Sequence, residues 1–127
     1  MKQKAIIILL ILILTAACNN RPKVHFLVND YQEVIKSAAL DNKNIFIDFY
    51  TVWCGGCIGY DKFVFTDSVF QEYLKANFYS LRINAELIEN KILVDKYSIR
   101  AYPTIIIADR NGNEIDRIVG YNSEYGE

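Results

Sequence analysis

Two cysteines three residues apart, Cys54 and Cys57, sit in the run Trp53-Cys54-Gly55-Gly56-Cys57. At the first turn of a helix this spacing lets the two sulfurs meet as a disulfide. The first helical N–H groups have no intrahelical partners and point toward the Cys54 sulfur. Together with the helix dipole they favour a thiolate. In such motifs the cysteine pKa falls from about 8.5 to between about 3.5 and 7.5. The thiolate is the attacking species, so Cys54 is the candidate nucleophile. Cys57, one turn deeper, is the candidate resolving thiol. Gly55 and Gly56 add little bulk and allow a partner chain to come close.

Two other uses of a C-x-x-C pair fit less well. A zinc site needs four ligands, or three and a water. Beyond the pair the chain offers only His25 and Cys18, so neither a metal nor a bound cofactor is expected. A purely structural disulfide would close so short a loop that it restricts the unfolded chain little.

The elements that must position the pair can be read outward from it. Ile45 to Tyr50 is apolar except for Asp48, and short enough for a buried strand. The CGGC follows at once and is expected to open a helix through about Lys62, with Phe63-Val64-Phe65 as a bulky break. Upstream, Lys23 to Val28 is a candidate strand. Asn29 or Asp30 can cap a helix to about Asp41, with Tyr31, Val34, Ile35, Ala38 and Ala39 as its stripe. Downstream, Thr66 or Asp67 can cap a helix with Val69, Phe70, Tyr73 and Leu74 on one face. Phe78 to Ile83 predicts a strand, Glu86 to Tyr97 a helix, and Thr104 to Ala108 a strand. Asn111-Gly112 is a strong hairpin signal. It leads into a returning strand, Glu114 to Val119, with Ile115 and either Ile118 or Val119 facing inward.

The order is β-α-β-α-β-α-β-β, an α/β fold. It predicts a central mixed sheet with helices on both faces, a parallel core and an antiparallel edge hairpin. A final helix to cover the sheet is expected to be missing or truncated, since only six residues follow Tyr121. Tyr60, Tyr73 and Tyr79 read as packing residues, and Glu86, Glu89 and Asp95 as a solvated helix face.

The whole chain has 127 residues and a formal net charge of -1. One domain is expected, and no basic footprint points to nucleic acid. The N-terminus reads differently from the rest. Met1-Lys2-Gln3-Lys4 is basic, Ala5 to Leu14 is unbroken apolar, and Thr15-Ala16-Ala17 is small. This is the layout of a signal peptide, and the apolar run is short for a transmembrane helix. With Cys18 next, residues 1–17 resemble a bacterial lipoprotein signal, although Leu14 lies one place further from the cysteine than the usual box. That resemblance implies lipid modification of Cys18, a tether over residues 18–23 and a domain over 24–127. Ordinary cleavage near Ala17 would leave Cys18 as a free thiol. Either outcome places the chain outside the cytoplasm, where disulfide chemistry is possible.

Asp48-Phe49-Tyr50-Thr51-Val52-Trp53-Cys54-Gly55-Gly56-Cys57 resembles the active-site strand and turn of the thioredoxin family. Ile99-Arg100-Ala101-Tyr102-Pro103-Thr104 resembles that family's cis-proline loop. Lys62-Phe63-Val64-Phe65-Thr66-Asp67 is closer still to one branch. That branch holds the C-terminal thioredoxin-like domain of bacterial thiol-disulfide interchange proteins and related exported reductases. The resemblance covers about Val24 to Tyr121. It implies a thioredoxin-like fold and a Cys54–Cys57 redox disulfide. Asp48 would be a buried acid moving protons to and from Cys57, and Trp53 a shield over the disulfide. Pro103 would be cis, and Tyr102 would offer its backbone to an extended substrate. The plainer alternatives are a solvent-facing strand acid for Asp48 and core packing for Trp53. Gly55-Gly56 replaces the family's usual Gly-Pro and leaves the redox poise open. The position after the second cysteine, often Lys in the family, is Ile58. Arg82 is a candidate for the basic partner the family keeps near its buried acid.

The function implied is an exported, membrane-tethered thiol-disulfide oxidoreductase of the bacterial periplasm or cell envelope. It would act as a reductase on cysteine-containing exported proteins and be recharged by a membrane electron donor. A non-enzymatic binding module on the same scaffold, or the N-terminal part of a longer lipoprotein, are the alternatives.

Overall fold

The structure is a computed structural model that describes residues 26–122 and Glu124. The signal segment, Cys18, the tether and His25 lie outside the described residues. So does most of the chain end, where the covering helix was expected to be missing or truncated.

Five strands form one sheet in the order β1-β3-β2-β4-β5. They are β1 (Leu27–Val28), β2 (Asn44–Tyr50), β3 (Phe78–Asn84), β4 (Thr104–Ala108) and β5 (Glu114–Val119). Strands β1, β3 and β2 run parallel, while β4 and β5 are antiparallel to their neighbours. Two pairings are thus antiparallel rather than one, and β4 alone runs against the other four strands. The connection after β3 explains it. Helix α4 (Lys91–Lys96) has six residues and rises about 9 Å, against about 23 Å for the seven residues of β3. It does not carry the chain back along the sheet, so β4 starts beside the end of β2, with Thr104 opposite Phe49.

Helices cover both faces. Helix α1 (Tyr31–Asp41) is capped by Asp30, whose side chain accepts from Glu33 N–H, and buries Val34 and Ala38. It packs with Tyr97 and Ile99 against Ile45, Ile47 and Phe49 of β2. The alternate residues of β2 face the other way. There Phe46, Phe65, Leu74 and Ile105 form a second cluster under α2 (Gly55–Gly59) and α3 (Ser68–Asn77). The strand is therefore buried on both faces, as its nearly continuous apolar run requires.

Three local readings change. The α2 helix continues as a π-turn over Tyr60–Val64, where Phe65 N–H reaches back to Tyr60 C=O, so the bulky run extends the helix. On α3 the inward residues are Gln71 and Leu74, with Phe70 partly buried. Val69 and Tyr73 are exposed. The amide of Gln71 can be buried because it donates to Phe65 C=O at 2.7 Å. Strand β5 is exposed along its whole length, including Ile115, Ile118 and Val119. It is the sheet edge, and no described helix lies over it.

Candidate active site

The site is assembled where β2 ends. Asp48 is 1% exposed, inside the strand and on the face that α2 covers. Thr51-Val52-Trp53 then turns the chain, and Cys54 becomes the N-cap of α2 with extended backbone, φ -76° and ψ 109°. Its sulfur accepts the Cys57 N–H at 3.1 Å. Cys54 and Cys57 are both buried and joined as a disulfide, with Cα atoms 5.3 Å apart. One free N–H of the helix start, that of Cys57, thus faces the Cys54 sulfur, an electrostatic setting that favours sulfur as an anion.

Trp53 stands beside the pair, 67% exposed, and is not a core residue. Its indole N–H donates to one oxygen of Glu86 at 2.9 Å, and Val52 N–H donates to the other at 3.1 Å. Its ring meets Tyr102 edge-on, with centroids 6.1 Å apart. Glu86 therefore clamps the loop in front of the cysteines and does not lie on a solvated helix face. The helical segments begin later, with a 3-10 turn at Ile88–Asn90 and then α4.

The Tyr102–Pro103 bond is cis, and Pro103 is fully buried against α2. Here the two glycines matter. A Cβ on Gly56 would lie 2.9 Å from Pro103 Cδ and 3.0 Å from Tyr121 Cβ. A Cβ on Gly59 would lie 2.6 Å from the Tyr121 ring. The proline loop and the chain end are seated in notches that a side chain would fill. Gly56→Ala is accordingly expected to push Pro103 and Tyr121 off the helix and to cost about 1–3 kcal/mol. Urea unfolding of the oxidised protein measures it, and an unchanged midpoint would show that the notch can relax.

Arg82 stands opposite Asp48 in the β2–β3 register. Its Nε lies 2.8 Å from Asp48 Oδ2, and its Nη1 lies 2.8 Å from Asp61 Oδ1. The inner contact is an ion pair without hydrogen-bond alignment, and Asp48 Oδ1 has no hydrogen-bond partner among the described residues. The guanidinium is caged by rings, 4.5 Å from the centre of Tyr50 and 5.5–5.6 Å from Phe26 and Phe65. Burial pushes the Asp48 carboxyl up to about 6, with Arg82 opposing and Asp61 assisting. That is the range in which a carboxyl can both take and give a proton near neutrality.

The structure thus gathers Cys54, Cys57, Trp53, Tyr102 and Pro103 at one end of the sheet, with Asp48 buried below. Cys18 falls outside the described residues. Among those residues no group of three or more His, Cys, Asp or Glu side chains could hold a metal ion. The sequence reading missed Asp61 and Glu86. Asp61 had a signal, since it lies four residues after Cys57 and so one helical turn on. Glu86 had none, because its partners are more than 30 positions away.

Comparison with known proteins gives a consistent picture. A family profile described as a thioredoxin-like domain matches residues 31–125. The thiol:disulfide interchange protein DsbD of Photorhabdus laumondii is 32% identical over 101 residues, which cover 74% of this chain and 17% of that protein. DsbD of Haemophilus ducreyi is 33% identical over 90 residues, covering 68% and 16%. The chain therefore spans about a sixth of the length of these relatives. The solution structure of a Bacteroides thetaiotaomicron protein described as a candidate disulphide-isomerase is 33% identical. It covers 78% of this chain and 82% of that one, with a TM-score of 0.69. DsbH oxidoreductase shares the fold at 21% identity and a TM-score of 0.66, covering 82% and 80%.

Proposed function

Because the chain belongs to the thioredoxin-like family of disulfide oxidoreductases, we propose that it is an exported, membrane-tethered reductase of protein disulfides. The observation that carries the reading is the Cys54–Cys57 disulfide at the start of α2, beside the cis Tyr102–Pro103 bond. In the reduced protein the Cys54 thiolate attacks a disulfide of the partner. One partner sulfur leaves as a thiolate and takes a proton from water. Cys57 then gives its proton to Asp48 and attacks the Cys54 sulfur of the mixed disulfide. The partner's second sulfur is released, so the partner gains two electrons and Cys54–Cys57 is oxidised. The backbone of Tyr102 receives an extended partner segment as an added strand, and Trp53 shields the disulfide. No bound cofactor is needed, because the cysteines carry the electrons.

The basic and apolar N-terminus supports export, and Cys18 supports a lipid anchor. Likeness to the DsbD interchange proteins supports a periplasmic or envelope location and a membrane electron donor. The resemblance of Lys62–Asp67 to exported reductases supports the reductase direction. One experiment tests these together. The full chain with Cys57→Ser, expressed in a bacterial host, is expected in the membrane fraction, carrying cysteine-containing envelope proteins as mixed disulfides on Cys54. Adding Cys18→Ala is expected to move it to the soluble fraction. Capture of cytoplasmic proteins alone would sink the export reading, and an empty trap the exchange with exported partners.

A further inference from the structure

Arg82 is the unusual member of the site. It is a guanidinium largely enclosed by aromatic rings, with two carboxylates competing for it. Asp48 holds it from the buried side at Nε. Asp61 holds it from the surface side at Nη1, its own side chain 47% exposed. Asp61 comes from the π-turn that continues the cysteine helix, so the same ten-residue helical run carries both Cys57 and the outer carboxylate.

We infer that Asp61 is a positioning residue for disulfide exchange: it shares the Arg82 guanidinium with Asp48 and keeps the buried carboxyl basic enough to accept the Cys57 proton. The reasoning is electrostatic. A guanidinium committed wholly to Asp48 would neutralise the carboxylate and leave it a poor proton acceptor. With Asp61 on the far side, part of the cation's charge is balanced elsewhere, and Asp61 adds its own repulsion to Asp48. Tight ring packing holds Arg82 between the two acids.

Among the described residues few charged or titratable groups surround Asp48; on its own strand Tyr50 stands two residues on, its ring against Arg82. Arg82 comes from β3. The π-turn that continues the cysteine helix supplies Tyr60 and Asp61. The Tyr60 phenol is held above its ordinary value by burial first and then by the Asp48 charge, so it stays neutral in the working range. Tyr121 stands behind Tyr60 at 5.2 Å between ring centres. Strand β4 presents only Ile105 opposite Asp48. Among the described residues, Asp61 is therefore the group besides Arg82 whose charge sets the acid's affinity for a proton in the oxidised protein.

The proposal rests on the exchange mechanism above, and its test separates the two. The Asp48 carboxyl is followed by carbon-13 NMR through a pH titration of the oxidised protein. Asp61→Asn, at a half-exposed position, is expected to lower the midpoint by about one pH unit. Asp61→Glu, which keeps the charge, is expected to restore it. The acid limb of insulin reduction is expected to move with the midpoint. A midpoint unmoved or raised in Asp61→Asn would overturn the sharing of Arg82. A midpoint that moves while the acid limb of an active protein stays still would overturn the positioning role. An inactive wild type with a shifting midpoint would instead overturn the exchange reading on which the role depends.

Discussion

Cys54→Ser is expected to bring insulin disulfide reduction down to the rate of dithiothreitol alone. The expectation follows from where the residue sits. Its sulfur is the one aimed at by the Cys57 N–H at the start of α2, so its anion is the one the helix stabilises. A serine hydroxyl in the same place stays protonated at neutral pH and cannot form a mixed disulfide. Loss of a nucleophile of this kind costs at least roughly three orders of magnitude in rate. Cys57→Ser differs in a useful way. It retains the attacking thiol and stalls at the mixed disulfide, so one variant never starts and the other never finishes. The turbidity assay reads the first, and gel shift under non-reducing conditions reads the second. Undiminished turnover by Cys54→Ser would remove the mechanism altogether.

Asp48→Asn is expected to stabilise the oxidised protein above pH 6 while slowing exchange. The folded carboxyl titrates at about 6 against 3.8 when unfolded, because burial disfavours its charged form. Below 3.8 both states are protonated and folding carries no penalty from this group. Between 3.8 and about 6 the folded chain holds a proton that the unfolded chain has lost, so stability falls as pH rises. Above 6 both states are ionised and the folded state bears the full cost. The gap of about two pH units is worth roughly 3 kcal/mol. Asparagine removes the ionisation, and Asp61 continues to hold Arg82. Urea midpoints of wild type and variant at pH 4 to 8 are expected to converge at the acid end. They are expected to separate by about 1–3 kcal/mol at the alkaline end. Curves that run parallel across this range would show that Asp48 does not titrate there.

What could be read from the chain followed the reach of each signal. The cysteine pair, the strand around Asp48 and the hairpin at Asn111-Gly112 are local, and β4 and β5 have the expected limits. Gly112 takes the positive φ that the turn needs. The direction of β4 was not local. It depended on how far α4 carries the chain, and residue types do not state that length until the helix ends are known. The apolar spacing points to a different face of α3 because a buried Gln71 breaks the pattern, its amide satisfied by a carbonyl six residues back. In the site, Tyr102 and Pro103 were found by resemblance rather than by spacing. Arg82 could be named but not aligned, and only its cross-strand register with Asp48 identifies its partner. Glu86 illustrates the limit most clearly. An acid in a run with helical spacing looks solvated until the fold brings an indole and a backbone amide to it.

The notches at Gly56 and Gly59 bear on how this sequence can change over time. Each glycine is matched to a ring contributed from far along the chain, Pro103 or Tyr121. A side chain at residue 56 is blocked first by Pro103, whatever stands at 121, whereas one at residue 59 meets the Tyr121 ring first, so losing that ring opens a gap beside Gly59. The four positions 56, 59, 103 and 121 are therefore coupled by packing, and the order in which they change matters more than the number of changes. The second glycine of the CGGC run is thus tied by packing to residues far along the chain, apart from any part it has in the chemistry of the cysteines beside it.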